Sequence, residues 1–361
     1  MIRRRVLVTG AVAACCLSLL PTLVPLAADS LPSRLSDSEF WKLVSDFSEP
    51  NGTFRSDNLL SNEGSFQYVL SDLMRTAKPG RVYMGVGPEQ NFTYIAALKP
   101  AMAFIVDVRR GNLDLHLMYK ALFELSADRA EFVSRLFSKK RPDGLTSAST
   151  ASEIFSAFWD VETSEALYKD NLRAIERELT EKHQFEVSAE DLQGIEYVYW
   201  AFYWYGPRIQ YSSTGSFGGR YQPTYTDLMV ATDGSGQPRG YLASEANFAV
   251  LKALESKNLL VPVVGNFAGP KAIRAVGEYL RKSGATVSAF YLSNVEQYLY
   301  QEGLWRSFCG NVATLPLDSS STFIRSVRGG QYVYGMGLNL ALAPITEEVK
   351  ACTAEERPSR Y

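Results

Sequence analysis

The residues best placed to do chemistry are Gly85, Gly87 and Asp107. In Arg81-Val82-Tyr83-Met84-Gly85-Val86-Gly87-Pro88-Glu89-Gln90-Asn91, a short apolar run ends on two glycines one residue apart. Glycine allows positive φ and close approach of a ligand to the backbone. Pro88 suits the first position of a helix, and Glu89 complements the positive end of its dipole. A second apolar run, Ala103 to Val108, carries Asp107 near its end, 20 residues beyond Gly87. An acid at that distance from a glycine turn is placed to accept the hydroxyls of a ribose. The chemistry implied is recognition of a nucleoside, with the turn shaping the pocket and the acid holding the sugar.

The same residues discriminate between nucleoside ligands. A dinucleotide turn needs a third glycine where Gln90 stands, and a carboxylate at Glu89 competes with a pyrophosphate for the helix dipole. NAD and FAD are disfavoured on both grounds. S-adenosylmethionine carries no phosphate and bears a sulfonium cation, so an acid near the turn is tolerable. Gly85, Gly87, Glu89, Asn91, Asp107 and Arg109 form the expected cofactor set, and Tyr211, Asn266 and Asp318 the expected second-substrate set. Other chemistries lack their residues. The two histidines, His116 and His183, have no nucleophile motif beside them, and no GxxxxGK[ST] loop occurs. No Cys/His cluster suggests a metal. A net charge of −2 without a basic patch argues against nucleic acid.

These residues need a frame, and hydrophobic spacing supplies one. Helices are expected over Ser38–Phe47, Ser65–Thr76, Ile154–Trp159, Ser164–Gln184, Ala189–Tyr205, Ala243–Ser256 and Lys271–Ser283. Strands are expected at 82–84, 103–108, 228–231, 259–265, 286–292, 312–315 and 323–327, the last in an antiparallel hairpin. Such alternation means a doubly wound, mostly parallel α/β sheet. The long helical stretch 113–205 exceeds an ordinary crossover and reads as an insertion after the second strand. The loop and helix ahead of the glycine turn are expected to fold over the cleft. Tyr197 to Tyr205 is the most aromatic segment, read as a helix buried on several faces or as an aromatic wall. Residues 206–223, with Arg208, Tyr211, Arg220 and Tyr221, form a glycine- and serine-rich loop. The tail beyond Pro344 is polar and expected to be loose.

The N-terminus reads as an export signal. Arg3-Arg4-Arg5 precedes an apolar run to Ala28 that is broken by Pro21 and Pro25 and closes on small residues. Cleavage near Ala28 and retention as an anchor both place the remainder outside the cytoplasm. The paired arginines resemble a twin-arginine signal, and Val12-Ala13-Ala14-Cys15 has the form of a lipoprotein box. If uncleaved, this leader is the only part expected to meet the membrane. The expected organisation is a leader at 1–28, N-terminal helices at 29–80, an α/β domain at 81–345 and a tail at 346–361. Beyond the leader only Cys309 and Cys352 remain, as one disulfide or as two free thiols.

Tyr83 to Tyr94, Ile105-Val106-Asp107-Val108-Arg109-Arg110 and Asn311 to Asp318 together resemble an uncharacterised bacterial exported family with a class I S-adenosylmethionine methyltransferase-like (Rossmann) fold. The resemblance spans most of the chain beyond the leader. It implies S-adenosylmethionine or a related nucleoside as ligand, a periplasmic or envelope location, and either methyl transfer or a binding or structural role without it. Three positions depart from methyltransferases. Tyr83 replaces the acid before the first glycine, Glu89 the last glycine of the turn, and Asn266-Phe267-Ala268-Gly269 the Asn/Asp-Pro-Pro-aromatic signature.

Overall fold

A computed structural model describes residues 30–213, 222–327 and 339–353. The expected leader, Arg220, Tyr221 and residues 354–361 lie outside them. Helix α1 (Asp37–Phe47) starts where Ser36 and Glu39 form a reciprocal capping box, and it buries Phe40 and Val44. After an extended segment, a 3₁₀ turn at Phe66–Val69 runs into α2 (Leu70–Thr76). The core unit follows as β1 (Val82–Gly85), α3 (Gln90–Leu98), β2 (Met102–Asp107) and α4 (Arg110–Leu125). Lys99, in the left-handed region at φ 47°, closes α3.

Next come α5 (Arg129–Leu136), α6 (Ala151–Phe158) and α7 (Glu165–Arg177), which ends in a π turn at Glu178–Lys182. They are followed by α8 (Ala189–Tyr205) and α9 (Tyr225–Val230). The sheet resumes with α10 (Glu245–Ser256), β3 (Leu260–Val264), α11 (Ala272–Lys282) and β4 (Val287–Ser293). It finishes with α12 (Val295–Gln301), α13 (Trp305–Val312), β5 (Thr322–Val327), β6 (Asn339–Pro344) and α14 (Ile345–Thr353).

Among the described residues, six strands lie in the order β3-β2-β1-β4-β5-β6. All neighbours are parallel except β5 and β6. The architecture is therefore α/β with a mostly parallel sheet, compatible with a Rossmann-like fold. Every residue of β1, β2 and β3 is buried, as strands covered on both faces require. Pro262 cannot donate to the ladder, and β3 tolerates it as an edge strand. The strand order reverses between β1 and β4, opening a crevice at their C-terminal ends.

Several expectations need correction. Residues 228–231 belong to the end of α9 and the turn after it, not to a strand. Thr224 and Asp227 form a capping box that starts a helix there. Val312 and Leu315 are not a strand either; they bury one side of the end of α13 and the turn that follows. The stretch after Pro344 is helical as far as Thr353, anchored by the buried Ile345. Helix α4 packs on β2 and β3 as the ordinary crossover helix, so the extra helices begin after Leu125 rather than at 113. In α8, Tyr199 and Phe202 are buried, while Trp200 and Trp204 are 38% and 63% exposed and stack on one another at 5.6 Å. Cys309 and Cys352 are bonded, joining α13 to α14. Among the described residues, no helix is long and apolar enough to cross a membrane.

Candidate functional site

The glycine turn is held from behind by one side chain. Asn91 Nδ2 donates to the carbonyls of Val86 at 2.9 Å, Gly87 at 3.3 Å and Pro88 at 2.7 Å, and its Oδ1 accepts from the Tyr83 hydroxyl at 2.8 Å. Gly85 makes this packing feasible, because a Cβ there would lie 1.8 Å from Asn91 Oδ1. Buried His116 also reaches the turn, with Nε2 2.9 Å from the Gly87 carbonyl. A carbonyl only accepts, so Nε2 carries the proton. Burial pushes the ring down to about 4, leaving it neutral at pH 7. With these carbonyls turned inward, trans-peptide geometry directs the Gly87 N–H away from Asn91. Gly87 sits at φ 77°, and a Cβ there would meet open space.

That space is a cavity of about 390 Å³, within the range of small-ligand sites. Its floor is the C-terminal ends of four strands: Val86 and Gly87 after β1, Asp107 at the end of β2, Asn266 after β3, and Tyr291 and Ser293 on β4. Gly52, Thr53, Phe54, Asn58, Ser61 and Asn62 cover it, so the N-terminal loop does fold over the cleft. Tyr298, Leu299 and Glu302 close the far side from α12 and the turn after it.

The cover is tied down at several points. The Gly52 N–H donates to the Val108 carbonyl at 2.8 Å, and Leu59 N–H to the Tyr211 carbonyl at 2.8 Å. Asp57 accepts from Tyr197 at 2.9 Å and from the Ser213 N–H at 3.2 Å. Arg109 joins cover to floor. Its Nη1 donates to the Asp57 carbonyl, while Nη2 lies 3.3 Å from Asp107 Oδ2 and Nε 3.3 Å from Oδ1. Asp107 Oδ1 also accepts the Arg109 N–H at 2.9 Å.

The residues expected from the sequence therefore separate into groups. Gly87, Asp107, Arg109, Tyr211 and Asn266 converge on the cavity. Asn266 Oδ1 also caps its own turn through the Ala268 N–H at 2.9 Å, and burial pushes the Tyr211 hydroxyl up to about 12. Gly85 and Asn91 build the turn from behind rather than lining the cavity. Glu89 is fully buried, accepts the Ser61 N–H at 3.2 Å, and is pushed up to about 8 by burial. It is mostly protonated at pH 7 and faces the interior, so it sets no charge against a phosphate in the cleft. Asp318 lies at the opposite, N-terminal end of the strands, ahead of β5. There it pairs with Arg81 at 2.5 Å, which holds its carboxyl well below the usual range. The N-terminus of α11 is taken by Glu49, which accepts from Lys271 N–H at 2.8 Å and Ala272 N–H at 2.9 Å.

Sequence reading missed Glu63, Ser61, Tyr291 and the side chain of Ser293. Glu63 is fully buried behind the cavity wall. Its Oε2 accepts from Tyr291 at 2.7 Å and Gln90 Nε2 at 2.9 Å; its Oε1 accepts from Ser293 at 2.8 Å and from Ser326. Ser293 holds φ at 49°, an uncommon conformation for a non-glycine residue. The only local signal was Ser293-Asn294 at the end of a strand. The topology makes this strand, β4, the neighbour of β1 at the strand reversal.

Among the described residues, Glu124, Glu178 and His183 are the one group of three with metal-ligand spacing. Both His183 nitrogens are engaged, by Asp37 at 2.7 Å and Glu124 at 2.8 Å, and Lys120 and Lys182 neutralise the acids. This is a salt-bridge network lacking a free ligand face.

Fold and cleft thus define an α/β protein with a ligand-sized cavity at the point where its strand order reverses. Residues 59–342 match the family described as Domain of unknown function (DUF7790), and the chain belongs to that family. No curated protein matches the chain.

Proposed function

We propose that the cavity binds a nucleoside-bearing small molecule, S-adenosylmethionine, and that the chain is a methyltransferase-like protein. The observation that carries this is the meeting of Gly87 and Asp107, from the ends of adjacent strands, in one cavity where the strand order reverses. The residues fit the group. Gly87 leaves open the space a side chain would fill. Asp107 keeps acceptor capacity for a ribose diol, since a carboxylate offers about four lone-pair sites and Arg109 takes only some of them. Arg109 fixes the orientation of that carboxylate, and Tyr211 and Asn266 face the remaining volume. When bound, S-adenosylmethionine would supply an electrophilic methyl group.

A second reading has its own support. The Arg109–Asp107 ion pair forms without a ligand, which suits an envelope binding or structural protein that keeps the fold without methyl transfer. For location, export by the leader remains our proposal, to the periplasm or envelope and by the twin-arginine route. The Cys309–Cys352 bond accords with an oxidising compartment. Calorimetry of purified protein with S-adenosylmethionine tests the ligand. Binding that Asp107→Ala weakens at least tenfold (about 1.4 kcal/mol) is expected; no heat in the wild type would sink the reading.

A further inference from the structure

Glu63 is the buried acid for which the proposed binding role has no use so far. It comes from the covering segment, is fully buried, and receives four hydrogen bonds, all from neutral groups. No Lys, Arg or His forms an ion pair with it among the described residues. Buried carboxylates are ordinarily matched by a cation. Here the hydroxyls of Tyr291 and Ser293, at 2.7 and 2.8 Å, tie the carboxylate to two residues that line the cavity. The other charges around the cavity balance or lie at its rim. Arg109 is paired with Asp107, Arg55 donates to the Tyr298 hydroxyl at 3.0 Å, and Glu302 is exposed. The uncompensated charge nearest the inner wall is therefore negative.

We infer that the β4 side of the cavity, lined by Tyr291 and Ser293, is a subsite for a cationic centre whose attraction comes from the charge of Glu63 behind them. The inference rests on the nucleoside reading and deepens it. In that ligand the group served is the sulfonium. Tyr291 brings an aromatic ring to the lining, the kind of group that attracts a cation, and the carboxylate acts on that cation through its field without direct contact.

Titration calorimetry with S-adenosylmethionine and S-adenosylhomocysteine tests this, because the two differ only in the methyl group and its positive charge. Wild type is expected to prefer the sulfonium by roughly tenfold, and Glu63→Gln to abolish that preference. Ser293→Ala, which removes a hydroxyl and leaves the charge, is expected to keep it. Circular dichroism checks folding. If Glu63→Gln does not fold, Glu63→Asp, which draws the charge back by one methylene, must reduce the preference. Both ligands binding with a ratio unchanged in the Glu63 variants would overturn the subsite and spare the nucleoside reading. Loss of preference in Ser293→Ala would also overturn it, by crediting the hydroxyl. Neither ligand binding would remove both.

Discussion

Two buried acids, Glu124 and Glu63, solve the same problem in opposite ways. Glu124 sits on α4 beside Lys120 at 2.8 Å, His183 at 2.8 Å and Lys182 at 3.1 Å. Lys120 in turn donates to the Glu255 carbonyl and to Asn258 Oδ1, both at 2.6 Å, and lies over the Phe40 ring. This network binds α1, α4, α10 and the π turn together, and its charges cancel within it. Glu63, at the cleft, has neutral donors alone. A site whose charges cancel internally offers nothing to a ligand, whereas a charge left uncompensated beside a cavity is a means of selecting one.

The sharpest way to break the comparison is to unbalance the network that is complete. Lys120→Met leaves Glu124 short of a buried partner and the Asn258 acceptor unpaired. It is expected to lower stability by about 3–5 kcal/mol, measured by denaturant unfolding. A loss below about 1 kcal/mol would mean that Lys182 and His183 suffice for Glu124.

The next effect has the opposite sign and belongs to the cleft. The folded value of Glu89 is raised to about 8 from 4.5. Below 4.5 both states hold the proton. As pH rises from 4.5 towards 8 the unfolded state ionises and the folded state does not, so stability falls across that window. Glu89→Gln keeps an acceptor for the Ser61 N–H and removes the penalty. It is expected to gain about 2 kcal/mol near pH 8 and nothing near pH 4. Equal gains at both pH values would refute a neutral, buried Glu89.

The smallest effect is the pH response of His183. Burial lowers its pKa, but the hydrogen bonds and charges of Glu124 and Asp37 outweigh burial and raise it above 6.5. Its contribution is therefore complete below 6.5 and is lost as pH rises through the folded value. Asp37 and Glu124 are held below 3.8 and 4.5, so theirs is lost on acidification. The network is strongest between about pH 4.5 and about pH 6.5. The stability difference between wild type and His183→Gln should shrink by about 1 kcal/mol between about pH 6 and about pH 9. A constant difference would show that His183 acts by packing against Phe185 alone.

How much of this was legible in the sequence follows from the range of each interaction. The β1 turn and Asp107 are local patterns, and they were read where they lie. Ser36, Ser188 and Ser244 cap helices through partners three residues away, so those helices were legible or nearly so. Leu228–Ala231 and Val312–Leu315 misled because a short apolar run has no period of its own. The decisive partners of the cleft were out of reach. Glu63 meets Ser293 and Tyr291 across 230 and 228 residues, and Arg109 meets the Asp57 carbonyl across 52. Glu89 was misjudged because its chemistry depends on burial, and burial at a helix start is set by what packs over it.

The Cys309–Cys352 bond has a consequence for how the chain survives its own synthesis. Strand β6 is the last of the sheet, pairs with β5 alone, and leads directly into α14. The bond fastens α14 to α13 and so holds that final strand in place. Reduced, β6 is retained by its ladder, by packing on the 3₁₀ turn at Phe66–Val69 and by Ile345, and its departure bares the edge of β5 to other copies. Resistance to aggregation then becomes a record of the redox state in which the chain matured.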